Sequence, residues 1–190
     1  MSREFELKYA ATPQILEAVA RQWGGFSVIA METTYFDTPA RTLSTRKMTL
    51  RLRRENGVSI CTLKTPLPDG SRGEWECESA DIHSGIAALL SMGAPDLLRT
   101  LGPVEAVCGA RFTRRCRLLP TADGTAELAL DEGVLSGGGR EQPLCELELE
   151  LKSGSQEAAV ALAEELAARY SLREEPKSKF RRAMDLAEGE

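Results

Sequence analysis

Glu4, Glu6 and Lys8 alternate with Phe5 and Leu7, and Glu146, Glu148 and Glu150 alternate with Leu147, Leu149 and Leu151. Successive side chains of a strand point to opposite faces, so each segment reads as a strand with one charged and one apolar face. Carboxylates in file repel one another, and like charges opposite each other across a ladder are destabilising, so such a face calls for a cation. Leu50-Arg51-Leu52-Arg53 sets two guanidiniums on one strand face, and Thr62 and Lys64 follow across the next turn. Paired guanidiniums suit polyphosphate because each makes bidentate, charge-assisted hydrogen bonds to phosphate oxygens, while a lysine adds a mobile point charge. Glu74 and Glu76 alternate with Trp75 and Cys77, Glu127 and Asp131 are evenly spaced about Ala129, and Arg114 shares a face with Phe112 and Cys116. Acidic strands beside basic strands suit a triphosphate gripped by Arg and Lys, with a divalent metal bridging it to carboxylates. Hard oxygen ligands select Mg²⁺ or Mn²⁺ over Zn²⁺. Taken alone, Arg51-x-Arg53 also fits a solvated face, and the basic run Lys177 to Arg182 reads as a solvated helix end.

Other chemistries lack their parts. His83 is the sole histidine and sits beside Asp81 and Ile82 at a helix start, so neither a His-based zinc site nor a Ser-His-Asp triad has a foundation. There is no GxxxxGK[ST] loop and no GxGxxG fingerprint. The net charge of -5 argues against general nucleic-acid or anionic-membrane binding, although a basic pocket fits inside an acidic average. No apolar run approaches the roughly 20 residues that span a bilayer, and the acidic start lacks a signal-peptide layout, so a cytoplasmic, soluble protein is expected. The five cysteines are scattered without CxxC spacing and read as reduced structural thiols. With 190 residues, 42% of them hydrophobic, residues 1–190 are expected to form a single domain.

The elements that must position these groups follow from spacing. Thr12-Pro13 opens a helix whose apolar residues Ile15, Leu16, Val19, Ala20 and Trp23 repeat at helical period, and Gly24-Gly25 ends it. Strands are expected near 33–36, 47–54, 58–65 and 73–79, with Asp37-Thr38-Pro39 and Asn56-Gly57 as turns and a loop at Pro66 to Gly70. Residues 82–101 read as helical with a break at Gly93 to Pro95, and strands resume near 112–119, 126–132 and 145–152. Ser155 caps a helix with the stripe Ala159, Leu162, Ala163, Leu166 and Tyr170, and a last helix or turn starts near Lys177.

This is an α+β chain of about eight strands alternating charged with apolar residues. Either the charged face is the solvent side of an open sheet, or the sheet closes into a barrel with a charged interior and helices outside. The apolar stripes of the helices favour closure. They must cover the apolar faces of the strands, which leaves the charged faces inside.

In order along the chain, Glu4-x-Glu6-x-Lys8, Tyr35 to Pro39, Leu50 to Arg53, Leu63-Lys64, Arg72-x-Glu74, Arg114, Ala129 to Gly133 and Glu146-x-Glu148 resemble the motifs of the CYTH, or triphosphate tunnel metalloenzyme, family. The bacterial inorganic triphosphatase branch is the most similar. The resemblance spans about residues 3 to 186 and implies an eight-stranded antiparallel closed β-barrel, a tunnel. It implies Glu4, Glu6, Asp131, Glu146 and Glu148 as ligands of Mg²⁺ or Mn²⁺, with Glu74 nearby. It implies Lys8, Arg51, Arg53, Lys64, Arg114 and Lys179 as the grip on a small-molecule triphosphate, with Lys8, Tyr35 and Arg53 catalytic and Tyr35 paired to Lys8 as a proposed base. The implied reaction is metal-dependent hydrolysis of inorganic triphosphate to pyrophosphate and phosphate, one ion neutralising the phosphates and a second orienting water. Thiamine triphosphatases and class IV adenylyl cyclases share the signature. Met48-Thr49 stands where the thiamine branch carries an aromatic residue, which disfavours that substrate, and no base pocket for a cyclase is evident. RNA 5′-triphosphatase activity is disfavoured by the acidic surface. A polyphosphate- or nucleotide-binding module without turnover is the alternative of a different class. A monomer or homodimer is expected, either as the short form of the family or as part of a longer chain.

Overall fold

The structure, a computed structural model, describes residues 2–68 and 71–189. Its strands are β1 (Ser2–Glu4), β2 (Glu6–Ala10), β3 (Ser27–Asp37), β4 (Thr49–Glu55), β5 (Val58–Pro66), β6 (Arg72–Glu78), β7 (Glu105–Pro120), β8 (Thr125–Gly137), β9 (Arg140–Ser153) and β10 (Arg173–Glu174). Its helices are α1 (Pro13–Trp23), α2 (Ile82–Ser91), α3 (Gln156–Tyr170) and α4 (Lys179–Glu188). Asp69 and Gly70 of the expected loop lie outside the described residues.

The strands form one antiparallel ladder in the order β1-β6-β5-β4-β3-β7-β8-β9-β2-β10. Its two ends are not joined by a ladder. They are joined by the chain itself, because β1 pairs with β6, β2 pairs with β9, and Phe5 alone separates them. The expected single N-terminal strand is thus split at Phe5, whose carbonyl accepts from the Leu151 N–H at 3.0 Å. With β1 and β2 counted as one split strand, this is the expected eight-stranded tunnel, with the short β10 added beside β2.

Local signals account for the elements. Thr12 caps α1 through its side chain, Ser155 caps α3 and Ser178 caps α4. Asn56 and Gly57 both take positive φ, as the two-residue hairpin turn between β4 and β5 requires. The turn after β3 is held by Asp37, whose buried carboxylate accepts from the N–H groups of Thr38, Leu43 and Ser44 at 2.7 to 2.9 Å. Strands β3, β7, β8 and β9 run several residues beyond the expected segments. Their outer ends are exposed or apolar on both faces, as at Val28, so the period-two signal fades there and only pairing extends them.

Three apolar clusters cover the tunnel. Helices α1 and α3 pack outside β2, β8 and β9 through Leu16, Val19, Ala163 and Leu166 on Leu128, Leu130, Leu147 and Leu149. Helix α2 and the turn after it pack on β4, β5 and β6 through Ile82, Leu89 and Leu98 on Leu50, Cys61, Leu63 and Trp75. Helix α4 is different. Its Ala183 and Met184 join Met31, Tyr35, Phe112, Leu135 and Leu144, several of which follow the inward parity of the charged residues on their strands. The interior is therefore charged along one part and apolar at the end that α4 covers. Gly137 permits the close approach, since a Cβ there would meet the Ala183 carbonyl oxygen at 2.2 Å. No helix among the described residues is long and apolar enough to cross a membrane.

Candidate active site

The inner face encloses a cavity of about 300 Å³. Glu4, Glu6 and Lys8 line it from β1 and β2, Tyr35 from β3, Arg51 and Arg53 from β4, and Lys64 from β5. Glu74 and Glu76 line it from β6, Arg114 from β7, Glu148 from β9 and Lys179 from α4. Among the described residues, eight glutamates and eight lysines or arginines lie in that lining, so they balance in formal charge.

The groups fall into two walls. On the first, Lys64 Nζ is 2.5 and 2.6 Å from the carboxylate oxygens of Glu4 and 3.4 Å from Glu74. Arg51 lies 3.8 Å from Glu74 and 3.7 Å from Glu76, while Thr62 donates to Glu76 at 2.8 Å. Arg53 pairs with Glu55 at 2.5 Å. The Nε donors of Arg51, Arg53 and Arg72 are buried with no hydrogen-bond partner among the described residues. A buried unpaired donor is costly, and guanidiniums of this kind can make charge-assisted hydrogen bonds to an anion.

On the second wall, Arg114 makes a bidentate pair with Asp131 at 2.8 and 2.7 Å and also donates to Glu148. Lys179 Nζ sits 2.8 Å from Asp131 and 2.7 Å from Glu148 and contacts Glu146, which Arg182 also engages. Carboxylate oxygens of Asp131, Glu146 and Glu148 lie within 4.8 Å of one another. Phe112 backs this wall, its ring centroid 5.3 Å from Lys179 Nζ and 5.9 Å from the Arg114 guanidinium carbon.

Electrostatics differ along the tunnel. Burial, with Glu148 and Glu4 adding to it, pushes the Glu6 carboxyl up to about 7, and its ion pair with Lys8 is 3.9 Å long. Burial likewise raises Glu146 to about 6, against the pull of Lys179. For Glu148 burial acts upward too, but Lys179 and Arg114 outweigh it and hold the carboxyl well below the usual range. Burial also raises the Tyr35 phenol.

Of the residues named from sequence as metal ligands, triphosphate grip or catalytic groups, Asp131 and Glu146 stand behind the lining, while the other ten line the cavity. No hydrogen bond joins Tyr35 to Lys8 among the described residues; the Tyr35 ring instead packs on Phe180, centroids 5.1 Å apart. The reading of Lys177 to Arg182 as a solvated helix end holds for Lys177 and Arg181, which are exposed, and is corrected for Lys179 and Arg182. The Lys179 side chain is 10% and that of Arg182 13% exposed, because α4 turns Lys179 into the tunnel and Arg182 onto Glu146 behind the lining. Sequence reasoning missed Arg182, Phe180, Glu55 and Lys152. The i, i+3 spacing of Lys179 and Arg182, beside Ala183, was the signal that one face of α4 carries both charge and core.

The family description of the CYTH domain matches residues 2–184. The chain belongs to the CYTH domain family. An inorganic triphosphatase of Haemophilus influenzae is 30% identical over 164 residues, which is 82% of this chain and 47% of that protein. The chain thus spans about half the length of the curated relative it matches. Among solved structures, a candidate adenylate cyclase of Bacillus halodurans is 24% identical, with a TM-score of 0.67, covering 96% of this chain and 98% of that one. A candidate adenylyl cyclase of Hippeastrum, described as showing a dominant triphosphatase activity, is 20% identical, with a TM-score of 0.65, covering 100% of this chain and 97% of that one. These two likenesses show the CYTH fold.

Proposed function

We propose that this CYTH chain hydrolyses inorganic triphosphate to pyrophosphate and phosphate in a divalent-metal-dependent reaction, with residues 1–190 acting as one tunnel domain. The observation that carries the proposal is the charged cavity lined by both Arg51 and Arg53, whose buried Nε donors have no hydrogen-bond partner among the described residues. The 30% identity to an inorganic triphosphatase supports the same reading. Ligand cavities run from about 300 to 1,000 Å³, and this one is at the small end, which favours a compact anion over a nucleotide.

The donor set fits a hard divalent cation. Glu4, Glu6 and Glu148 reach the lining, and Glu6, whose ion pair with Lys8 is 3.9 Å long, is the least tightly paired of the three, with Lys64 and Lys179 acting on it from further off. Held there, Mg²⁺ or Mn²⁺ would supply positive charge for the phosphate oxygens and lower the pKa of a bound water. The chain's own cations do the rest. Arg51, Arg53 and Lys64 grip the triphosphate from one wall, and Lys8, Arg114 and Lys179 close on it from the other. Arg53 stabilises the charge that develops on the departing group, because fixed donors in a water-poor site need no reorganisation. Tyr35, its phenol raised by burial, keeps its proton and serves as a donor and as the support of Phe180.

The test is phosphate release from tripolyphosphate, ATP and thiamine triphosphate in parallel, with Mg²⁺, Mn²⁺ or EDTA, and with cyclic AMP assayed in the ATP reactions. Metal-dependent cleavage of tripolyphosphate well above the others is expected. Binding of tripolyphosphate without turnover of any substrate would instead make the chain a binding module, and cyclic AMP would make it a cyclase.

A further inference from the structure

The buried carboxylates Asp131 and Glu146 have spacing that suits a metal ion, yet the space between them is filled. Asp131 accepts on Oδ1 from Arg114 Nε at 2.8 Å, and on Oδ2 from Arg114 Nη2 at 2.7 Å and Lys179 Nζ at 2.8 Å. Glu146 accepts on one oxygen from Lys179 and on the other from Arg182. Both carboxylates are 0% exposed, and neither lines the cavity. With Glu148 they number three anions against Arg114, Lys179 and Arg182, three cations that are themselves at most 13% exposed. The cluster is closed in charge. A divalent ion entering it would have to expel an ammonium or a guanidinium from a buried site, and breaking such a pair leaves an uncompensated buried charge.

We propose that Asp131 and Glu146 are positioning residues and not metal ligands: they hold Arg114 and Lys179 aimed at the triphosphate and, through Arg182, dock α4 over the tunnel end, while a metal enters at the lining beside Glu6. The substrate half of this rests on the triphosphatase reading. The architecture explains why the anions are needed. Lys179 and Arg114 point at the same ring, Phe112, from two different elements, and two cations converge there only if fixed anions behind them offset their repulsion.

The test compares Asp131→Asn and Glu146→Gln with Glu6→Gln. Affinity for Mn²⁺ alone is read by electron paramagnetic resonance without substrate, and KM and kcat are read with tripolyphosphate. Asp131→Asn and Glu146→Gln are expected to leave the Mn²⁺ Kd within about twofold of wild type and to raise KM for tripolyphosphate tenfold or more. Glu6→Gln is expected to raise the Mn²⁺ Kd tenfold or more. Loss of Mn²⁺ affinity in either rear-wall variant equal to that in Glu6→Gln overturns the assignment. Should those variants fail to fold, wild-type crystals soaked in Mn²⁺ decide the matter. Anomalous density bonded to Glu6 supports the proposal, and density bonded to Asp131 or Glu146 with Lys179 displaced overturns it. Absence of tripolyphosphate turnover in the wild type would overturn the triphosphatase reading, while the Mn²⁺ position still decides the ligands.

Discussion

At the scale of the residue, Glu6 is the group whose surroundings differ most from its partners'. Its carboxyl is raised to about 7, and that of Glu146 to about 6, so between about pH 4.5 and 7 these two groups hold more protons in the folded, metal-free chain than in the unfolded one. Stability contributed by these groups is therefore present at the acid end of that window and declines as pH rises through it. In EDTA the urea midpoint is expected to be lower at pH 8 than at pH 5.5, and Mg²⁺ at pH 8 is expected to raise it again. A midpoint that rises from pH 5.5 to 8 in EDTA would show that Glu6 is not held protonated by its surroundings. Asp37 acts through the backbone. Removing its three buried hydrogen bonds by Asp37→Ala leaves N–H groups unpaired at the entry to β4 and is expected to cost about 3 kcal/mol, measured by urea unfolding. Asp37 is legible in sequence as a turn residue before Thr38-Pro39. Its grip on Leu43 and Ser44 is not, because those partners lie six and seven residues away in a segment of no regular period.

At the scale of the element, α2 lies on β5 and β6 through one close approach. A Cβ on Gly85 would sit 2.5 Å from Cys61 Sγ and 2.6 Å from Cys61 Cβ, in a wholly buried position. Gly85→Ala would improve helix propensity in an isolated peptide, yet here it is expected to destabilise the protein by about 1–3 kcal/mol, because overpacking forces the helix off the sheet. Thermal unfolding of the single variant checks the sign, and Gly85→Ala with Cys61→Ala should recover only a small part of the loss, because the Cβ of residue 61 remains 2.6 Å away. The helices α1, α2 and α3 were legible from caps and period, since each covers an apolar face that is apolar in the sequence. Helix α4 was not, because its buried face mixes Lys179 and Arg182 with Phe180, Ala183 and Met184. Such a face is stable only against a wall that is itself both charged and apolar, and no local pattern announces that wall.

At the scale of the whole molecule, the tunnel balances its charges before any ligand enters, eight carboxylates against eight cations among the described residues of the lining. A triphosphate carries several negative charges, so the chain alone supplies no surplus to meet them. Binding of tripolyphosphate, followed by calorimetry, is expected to be at least a hundredfold weaker in EDTA than with Mg²⁺, and equal affinity in the two would mean that the cations of the walls suffice. The alternation of charge with apolar residues determined which face of each strand carries chemistry, because a period of two admits no other reading in a strand. The order of the motifs pointed to the CYTH family, which the comparisons show, and to the tunnel. Tertiary structure alone decided that the N-terminal strand splits at Phe5 to join both ends of the ladder, that α4 closes one end, and which carboxylates stand at the lining and which behind it. The reason is physical. Glu146 and Glu148 are two residues apart and alike in sequence, and their difference arises from groups far away along the chain, Lys179 and Arg182 on α4 and Arg114 on β7, that only folding brings within hydrogen-bond reach.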